Sequence, residues 1–519
     1  MQHSFILMSL LCLGTGHPTG ADKEPNAPRA TTQQGPIRGI STDQYVNAFL
    51  GIPYAQPPVD SLRFMAPQPL ATMSPAIDHP VRNATAFGPV CYQFHYNSVM
   101  GNALTETSGQ SEDCLTLNVF VPKRRPCKQN KPMPVFVWSF GGAFGEGGGS
   151  MPMFNPTNFV ARNKDIIVVT WNYRTTLFGF PNSPALDQQN LGIRDQRVAL
   201  EWVRDNIAGF GGDPNHIVLG GQSSGADSGN AMLYTHKDDP IAIGAVFQSG
   251  TVQIIGASTS NQDSEFVRAA NSVGCADPAN RNRELECMRR TNADILHHAI
   301  SNNTLNAFGA PPGGSPMVDN ETLFTLQEYD ARGRAGRFAK IPTLIGSLDD
   351  EGEAIVNWSK ECGINKTTAA NITPMLQCNV ALESRYRHLN QVPTWRYRYR
   401  GIFPGVTPYK WLGSYHESDV AILLGSFDSI AHTDKSSPIT AAASQYLQQV
   451  VATFIRNPTS GLSHVYKWPV YNPGENTLVQ LFTNNTIGAT LTSPMKFDTI
   501  CNNLPPMSWE AVGAPAPVC

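Results

Sequence analysis

The sequence has few charged residues and no strong excess of either sign. Charged side chains make up 15% of its 519 residues, and 38 Lys and Arg stand against 41 Asp and Glu, which gives a net charge of −3. The longest basic run is Lys123-Arg124-Arg125. A nucleic-acid-binding protein needs a basic patch or stripe, and a polybasic membrane anchor needs a longer cluster. We therefore expect no nucleic acid as a partner and no polybasic membrane patch.

Long apolar runs are also missing. The run at residues 5–13 is too short to span a bilayer, which takes about 20 apolar residues. Small residues follow it up to Ala21, a pattern typical of a secretory signal peptide. We expect residues 1–20 to be a signal peptide and the mature chain to be secreted, with no transmembrane segment. A buried N-terminal strand is the alternative.

Cysteine is scarce, and its spacing excludes one class of site. Ten cysteines are present, and none forms a Cys-x-x-Cys pair, so a common zinc or redox motif is not expected. We expect no metal and no cofactor. In an exported chain these cysteines favour disulfides. Seven Asn-x-Ser/Thr sequons are candidate glycan sites in such a chain: Asn83, Asn302, Asn320, Asn357, Asn365, Asn371 and Asn484.

Short apolar runs alternate with helical patterns through the chain. The alternation predicts an α/β fold, with a large, mainly parallel central sheet and helices on both of its faces. No internal repeat and no shift in composition marks a boundary, so we expect residues 21–519 to form a single domain. The strand-like runs lie at residues 135–140, 165–171, 217–221, 241–248 and 341–346, and the helical ones at 195–210 and 225–234.

The sharpest local motif is Gly221-Gln222-Ser223-Ser224-Gly225, a G-x-S-x-G pattern. It lies between a predicted strand and a predicted helix, which is the setting of a nucleophile elbow. The glycines allow a turn tight enough to expose the hydroxyl of Ser223. A serine hydroxyl is a weak nucleophile without a base, which is itself oriented by an acid. The motif therefore predicts that Ser223 is a catalytic nucleophile with two partners elsewhere.

A second glycine-rich turn, Phe140-Gly141-Gly142-Ala143-Phe144, follows the predicted strand at 135–140. Backbone N–H groups of Gly142 and Ala143, with that of Ser224, could converge on a tetrahedral oxyanion. A simple turn is the alternative. A phosphate-binding loop is not favoured, because Lys and Ser/Thr are not in P-loop spacing.

Five motifs, in the expected order, resemble the type-B carboxylesterase/lipase family, and the resemblance extends from about residue 35 to 501. It implies an α/β-hydrolase fold and hydrolysis of carboxylic esters. The run at 392–401 is similar to the secreted fungal branch. The motifs are Gly51-Ile-Pro-Tyr-Ala-Gln-Pro-Pro58, Glu112-Asp-Cys-Leu-Thr-Leu-Asn-Val-Phe-Val-Pro122, Asn172-Tyr-Arg174, Asp195-Gln-Arg197 and Phe210-Gly-Gly-Asp-Pro-Asn-His-Ile-Val-Leu-Gly-Gly-Gln-Ser-Ser-Gly225.

The resemblance implies the two partners of Ser223. The family's acid lies in an Asp-Glu-Gly context, which here makes it Glu351, with Asp349 and Asp350 as rivals. Its histidine follows Gly-x-x and precedes an acidic residue three positions on, which only His416 matches among the later histidines. Ser223 would attack the ester carbonyl, His416 would act as general base, and Glu351 would orient the imidazole. The chain order Ser, Glu, His is that of α/β hydrolases.

Several structural pairs are implied by the same resemblance. Disulfides are expected between Cys91 and Cys114 and between Cys275 and Cys287. Cys378 would pair with Cys362 or Cys501, and Cys127 and Cys519 stay unassigned. Buried ion pairs are expected for Arg63–Glu112 and Arg174–Asp195. Ser249 resembles a serine near the acid–histidine pair, with a strand-end cap as the alternative.

Departures from the family's sequence pattern limit the class of ester substrate that we expect. Cholinesterases carry a tryptophan in the Cys91–Cys114 loop to hold a quaternary ammonium; none is present here, so choline esters are not expected. The loop is apolar enough for a lipase-like lid, with a surface loop as the alternative. Gln222 stands where many relatives have glutamate.

The expected function is a secreted serine esterase that acts on a small-molecule ester or a lipid. One alternative is a tailoring esterase, lactonase or transacylase that uses the same site. A remote alternative is a non-catalytic binding protein on this fold. Such members typically lose the serine, which this chain retains.

Overall fold

The computed structural model describes residues 27–74, 79–94, 108–123, 131–255, 257–301, 316–359, 361–429 and 437–502. The expected signal peptide at 1–20 and the middle of the Cys91–Cys114 loop lie outside these residues. Cys127, Cys519 and the sequon at Asn302 lie outside them as well. None of the described helices is both long and apolar enough to cross a membrane.

The strands of the described residues are mostly short. They are β1 (Arg29–Thr32), β2 (Gly35–Arg38), β3 (Ile40–Ser41), β4 (Val46–Pro53), β5 (Arg82–Asn83), β6 (Thr116–Pro122), β7 (Met133–Ser139), β8 (Ile167–Trp171), β9 (Gly212–Gln222), β10 (Gly244–Gln248), β11 (Thr343–Leu348), β12 (Trp358–Ser359), β13 (Gly363–Ile364), β14 (Thr394–Tyr399), β15 (Leu478–Leu481) and β16 (Ala489–Thr492).

An 11-stranded sheet forms the centre of the molecule, in the order β16-β15-β14-β11-β10-β9-β7-β8-β6-β4-β3. Neighbours from β15 to β8 pair in parallel, and the pairs at both edges are antiparallel. The prediction of a mainly parallel sheet is confirmed. The antiparallel pairs at its edges were not predicted from the sequence. In the described residues β1-β2-β5 and β12-β13 form separate small sheets.

Burial explains why the central strands read as unbroken apolar runs. Every residue of β8 and of β10 is buried, because helices cover both faces of the parallel part of the sheet. The glycines Gly220 and Gly221 near the end of β9 are buried too. There the strand packs so closely that a Cβ on Gly220 would lie 2.4 Å from the ring of Phe136.

The helices of the described residues connect these strands. They are α1 (Thr157–Asn163), α2 (Thr176–Gly179), α3 (Leu191–Asn206), α4 (Ser224–Thr235), α5 (Glu265–Ser272), α6 (Arg281–Arg290), α7 (Ala293–Ser301), α8 (Leu326–Ala335), α9 (Lys366–Leu389), α10 (Ser418–Leu424), α11 (Pro438–Arg456), α12 (Gly461–Tyr466) and α13 (Met495–Asp498). The helix predicted at 195–210 begins four residues earlier, and its last four residues form a 3-10 turn, Ile207–Phe210.

Three disulfides join segments of the described residues. Cys91–Cys114 and Cys275–Cys287 are the pairs that the resemblance implied. Cys378 bonds to Cys501, so Cys362 is not its partner.

Both expected ion pairs are present; the Arg174–Asp195 pair is buried, and in the other pair Arg63 is buried whereas Glu112 is partly exposed. Two hydrogen bonds of 2.6 Å join the guanidinium of Arg63 to Glu112. The guanidinium of Arg174 donates to Asp195 at 2.9 and 2.7 Å, and both side chains are almost fully buried.

Candidate active site

The loop between β9 and α4 holds Ser223 in a strained backbone conformation. Its φ is 51° and its ψ is −128°, a combination that L-residues rarely adopt outside functional sites. Two glycines make the turn possible. A Cβ on Gly221 would lie 2.6 Å from the carbonyl carbon of Gly225, and one on Gly225 would lie 2.3 Å from the carbonyl oxygen of Ser139. Ser223 is half-buried between fully buried neighbours, so the turn presents its side chain outward.

Glu351 follows β11 and is fully buried. Its Oε1 accepts hydrogen bonds from the hydroxyl of Ser249 and the backbone N–H of Leu348, each at 2.7 Å. Its Oε2 lies 2.6 Å from Nδ1 of His416. An ionised carboxylate is an acceptor only, and all the groups around it can donate. Ser249 therefore contacts the acid of the acid–histidine pair.

The two rival acids point elsewhere. Asp349 binds the guanidinium groups of Arg398 and Arg400. Asp350 accepts the backbone N–H of Ser414 at 2.8 Å. Their carboxylates are therefore held by other partners, and Glu351 is the acid that meets His416.

His416 is buried, with 1% of its surface exposed, and both ring nitrogens have polar partners. Because the carboxylate of Glu351 accepts at Nδ1, the neutral ring carries its proton there and leaves Nε2 as an acceptor. The partner of Nε2 is the side-chain amide of Gln222, whose Nε2 lies 3.0 Å away. Among the described residues, no hydrogen bond joins His416 to the hydroxyl of Ser223.

The glycine-rich turn after β7 lies directly beside the nucleophile. A Cβ on Gly141 would lie 2.8 Å from Cβ of Ser223. The next residues, Gly142 and Ala143, have φ values of 119° and 51°, which turn their N–H groups away from a regular strand. Ser224 is the first residue of α4, so its N–H has no partner within the helix. The three expected oxyanion donors thus belong to two segments that meet at Ser223.

Buried acids around the site are the feature that the sequence did not reveal. Burial raises the pKa of Glu417 well above its usual value, and the charges of Glu146 and Asp419 act in the same direction. Burial also raises the pKa of Asp419 to about 6, although Gln248 and Tyr397 donate to it.

Another buried acid, Asp227, lies one helical turn after Ser223. Its pKa is raised well above its usual value by burial, against a hydrogen bond from the backbone of Thr251. The sequence shows that the acidic residues Glu417 and Asp419 follow His416, but it does not show that they are buried.

Comparisons with known proteins bear on the class of this site. A family model described as "Carboxylesterase family" matches residues 26–373, which include Ser223 and Glu351. The chain belongs to the carboxylesterase family. Its α/β-hydrolase fold follows, and so does its class as a carboxylic ester hydrolase.

Individual members of the carboxylesterase family match most of the chain. A chlorogenic acid esterase of Aspergillus niger is 34% identical over 86% of this chain and 89% of its own length. Secreted lipase 5 of Gibberella zeae is 30% identical over 96% of this chain and 98% of its own. The para-nitrobenzyl esterase of Bacillus subtilis is 30% identical over 85% and 92%. These alignments extend the likeness well beyond residue 373.

Proposed function

We propose that this carboxylesterase is a secreted serine esterase that forms an acyl-enzyme on Ser223. The observation that carries the proposal is the convergence of three sequence-distant elements. The strained turn at Ser223 contacts the hydrogen-bonded Glu351–His416 pair through Gln222 and the glycine-rich turn through Gly141. These elements would supply a nucleophile, a base with its acid, and an oxyanion site. This set matches the requirements of acyl transfer through a serine.

The proposed reaction runs in two halves. The Ser223 hydroxyl attacks the ester carbonyl while its proton passes to Nε2 of His416, and Glu351 stabilises the resulting imidazolium. The N–H groups of Gly142, Ala143 and Ser224 bind the oxyanion. The imidazolium then protonates the departing alcohol. Water then attacks the acyl-enzyme while His416 takes its proton. The imidazolium returns this proton to Ser223 as the carboxylic acid leaves.

Secretion is supported by two observations. Three disulfides join described segments, and such bonds form and persist in oxidising compartments. One relative that matches nearly the whole chain carries the name secreted lipase.

For the substrate we propose an ester whose acyl group is apolar. One relative that matches nearly the whole chain is named a secreted lipase, which supports an apolar acyl group. Another is named a chlorogenic acid esterase, so chlorogenic acid is a second candidate substrate.

The test is a series of p-nitrophenyl esters from acetyl to palmitoyl, with chlorogenic acid assayed in parallel. We expect a chain-length optimum at short to medium acyl groups, as for a carboxylesterase. An optimum at palmitoyl would favour lipase-like use instead. Absence of hydrolysis of every ester by the folded protein would contradict the proposal and point to transfer of the acyl group to an alcohol.

A further inference from the structure

The side-chain amide of Gln222 contacts the ring nitrogen of His416 that acts as the base in the proposed reaction. Its amide lies 3.0 Å from Nε2 of His416, the nitrogen that would take the proton of Ser223. The neutral ring has only a lone pair at this nitrogen, so the amide must present its NH₂ group there. In this arrangement Gln222 and Ser223 compete for one lone pair.

The other end of the amide is its carbonyl oxygen. Oε1 of Gln222 is buried and makes no hydrogen bond within the described residues. It lies against the glycine-rich turn, where a Cβ on Gly141 would be 2.3 Å away. A buried carbonyl without a donor is costly, which indicates that this oxygen gains a partner in another state of the site.

That state is the one in which Nε2 carries a proton. The imidazolium has donors at both nitrogens, so the NH₂ group can no longer bind Nε2, whereas Oε1 can. Rotation of the terminal amide by half a turn exchanges the two groups. Glutamine can therefore partner both protonation states, whereas a glutamate carboxylate can accept only from the protonated one.

We propose that Gln222 is a positioning residue that holds neutral His416 in the resting site and, with its amide turned, stabilises the imidazolium during acyl transfer. The proposal rests on the proposed function. Among the described residues, the titratable groups near His416 are Glu351 in direct contact, Asp419, whose pKa burial raises to about 6 although His416 acts in the opposite direction, and Glu417, the next residue in the chain, whose pKa burial raises well above its usual value.

Two variants test the proposal through the pH dependence of kcat/KM for a p-nitrophenyl ester. Gln222→Glu places a carboxylate beside Nε2, and an opposite charge at this distance typically shifts a pKa by roughly 1–3 units. We expect the acid limb of the profile to move to higher pH by about one unit.

Gln222→Met keeps the length of the side chain but removes both polar groups. We expect it to lower kcat about tenfold, in the range of one hydrogen bond to a charged group, with little change in KM and no such movement of the limb.

A matched control is Gln448→Glu, because Gln448 is also buried and its Oε1 also makes no hydrogen bond within the described part of the chain. In Gln448→Glu, the acid limb of the pH profile of kcat/KM should lie at the same pH as in the unaltered protein. An unmoved limb in Gln222→Glu, or an unchanged kcat in Gln222→Met, would overturn the proposal. Ser223→Ala separates this failure from that of the acyl-enzyme mechanism, since hydrolysis that survives in Ser223→Ala would contradict the proposed function itself.

Discussion

Oε2 of Glu351 lies 2.6 Å from Nδ1 of His416, although the two residues are 65 positions apart. The contact is possible because Glu351 follows β11 and the chain returns to it just before α10. A carboxylate at Nδ1 fixes the tautomer that leaves Nε2 free to accept a proton. The contact therefore assigns a role to each side chain that can be tested separately.

We expect Glu351→Gln to lower kcat by about 10³–10⁴-fold with little change in KM, because the amide favours the wrong tautomer and cannot stabilise the imidazolium. Steady-state kinetics measure the effect. The matched control is Glu353→Gln. Glu353 belongs to the same turn, and burial raises its pKa to about 7, but no hydrogen bond joins it to His416 among the residues that the structure describes. Equal losses in the two variants would contradict the assignment of Glu351.

The turn at Gly141 should be intolerant of a side chain. In Gly141→Ala the added Cβ would meet Oε1 of Gln222 at 2.3 Å and Cβ of Ser223 at 2.8 Å, so the turn must move away from the nucleophile. We expect a loss of kcat of about 10²-fold, comparable to the loss of one oxyanion donor. Gly474→Ala is the control, since its nearest atom would lie 3.5 Å away. Unchanged kcat in Gly141→Ala would remove the turn from the oxyanion site.

Much of the site could be predicted because its parts are local motifs. The strand–turn–helix at Ser223 is encoded in consecutive residues, and Glu351 and His416 each have a short context that resembles the family. The contact of Gln222 with His416 could not be predicted. The contact depends on how the amide is rotated and on where two distant segments meet. No residue spacing in the sequence indicates either of these.

Asp227 gives a prediction on stability. Burial raises its pKa in the folded protein above the unfolded value of about 3.9. The stability that its bound proton contributes is therefore complete below the unfolded pKa and is lost as the pH rises through the folded pKa. Asp227→Asn keeps an acceptor for the N–H of Thr251 and carries no charge.

Thermal unfolding at two pH values measures this effect. We expect Asp227→Asn to match the unaltered protein at acidic pH and to exceed its midpoint temperature at mildly alkaline pH. A variant that is less stable than the unaltered protein at alkaline pH would show that the carboxylate is stabilised by a partner and would contradict this reading.

The buried pair of Arg174 and Asp195 should matter far more than an exposed pair. Removal of one partner from a buried, hydrogen-bonded pair leaves an uncompensated charge and costs roughly 3–5 kcal/mol. We expect Asp195→Ala to lose about this much free energy of unfolding in urea titrations. Asp238→Ala, which breaks an exposed contact with Lys237, should cost less than about 1 kcal/mol. Similar costs for both variants would contradict the account.

The edges of the fold were less predictable than its centre. Parallel strands such as β8 and β10 are buried at every residue and are mostly apolar, whereas the parallel strand β14 carries Arg396 and Arg398. The edge strands β3 and β16 are short and partly exposed. Two further buried ion pairs, Arg387–Glu383 and Arg396–Asp498, also went unpredicted. The second joins residues 102 positions apart, and charge alone does not identify such a partner.

The most direct test of the mechanism is covalent labelling with a fluorophosphonate, followed by peptide mapping. We expect one label per chain, attached to Ser223, together with loss of esterase activity. Ser223→Ala should take no label and hydrolyse no ester while it unfolds at an unchanged temperature. A label on another residue, or hydrolysis that survives in Ser223→Ala, would contradict the assignment of the nucleophile.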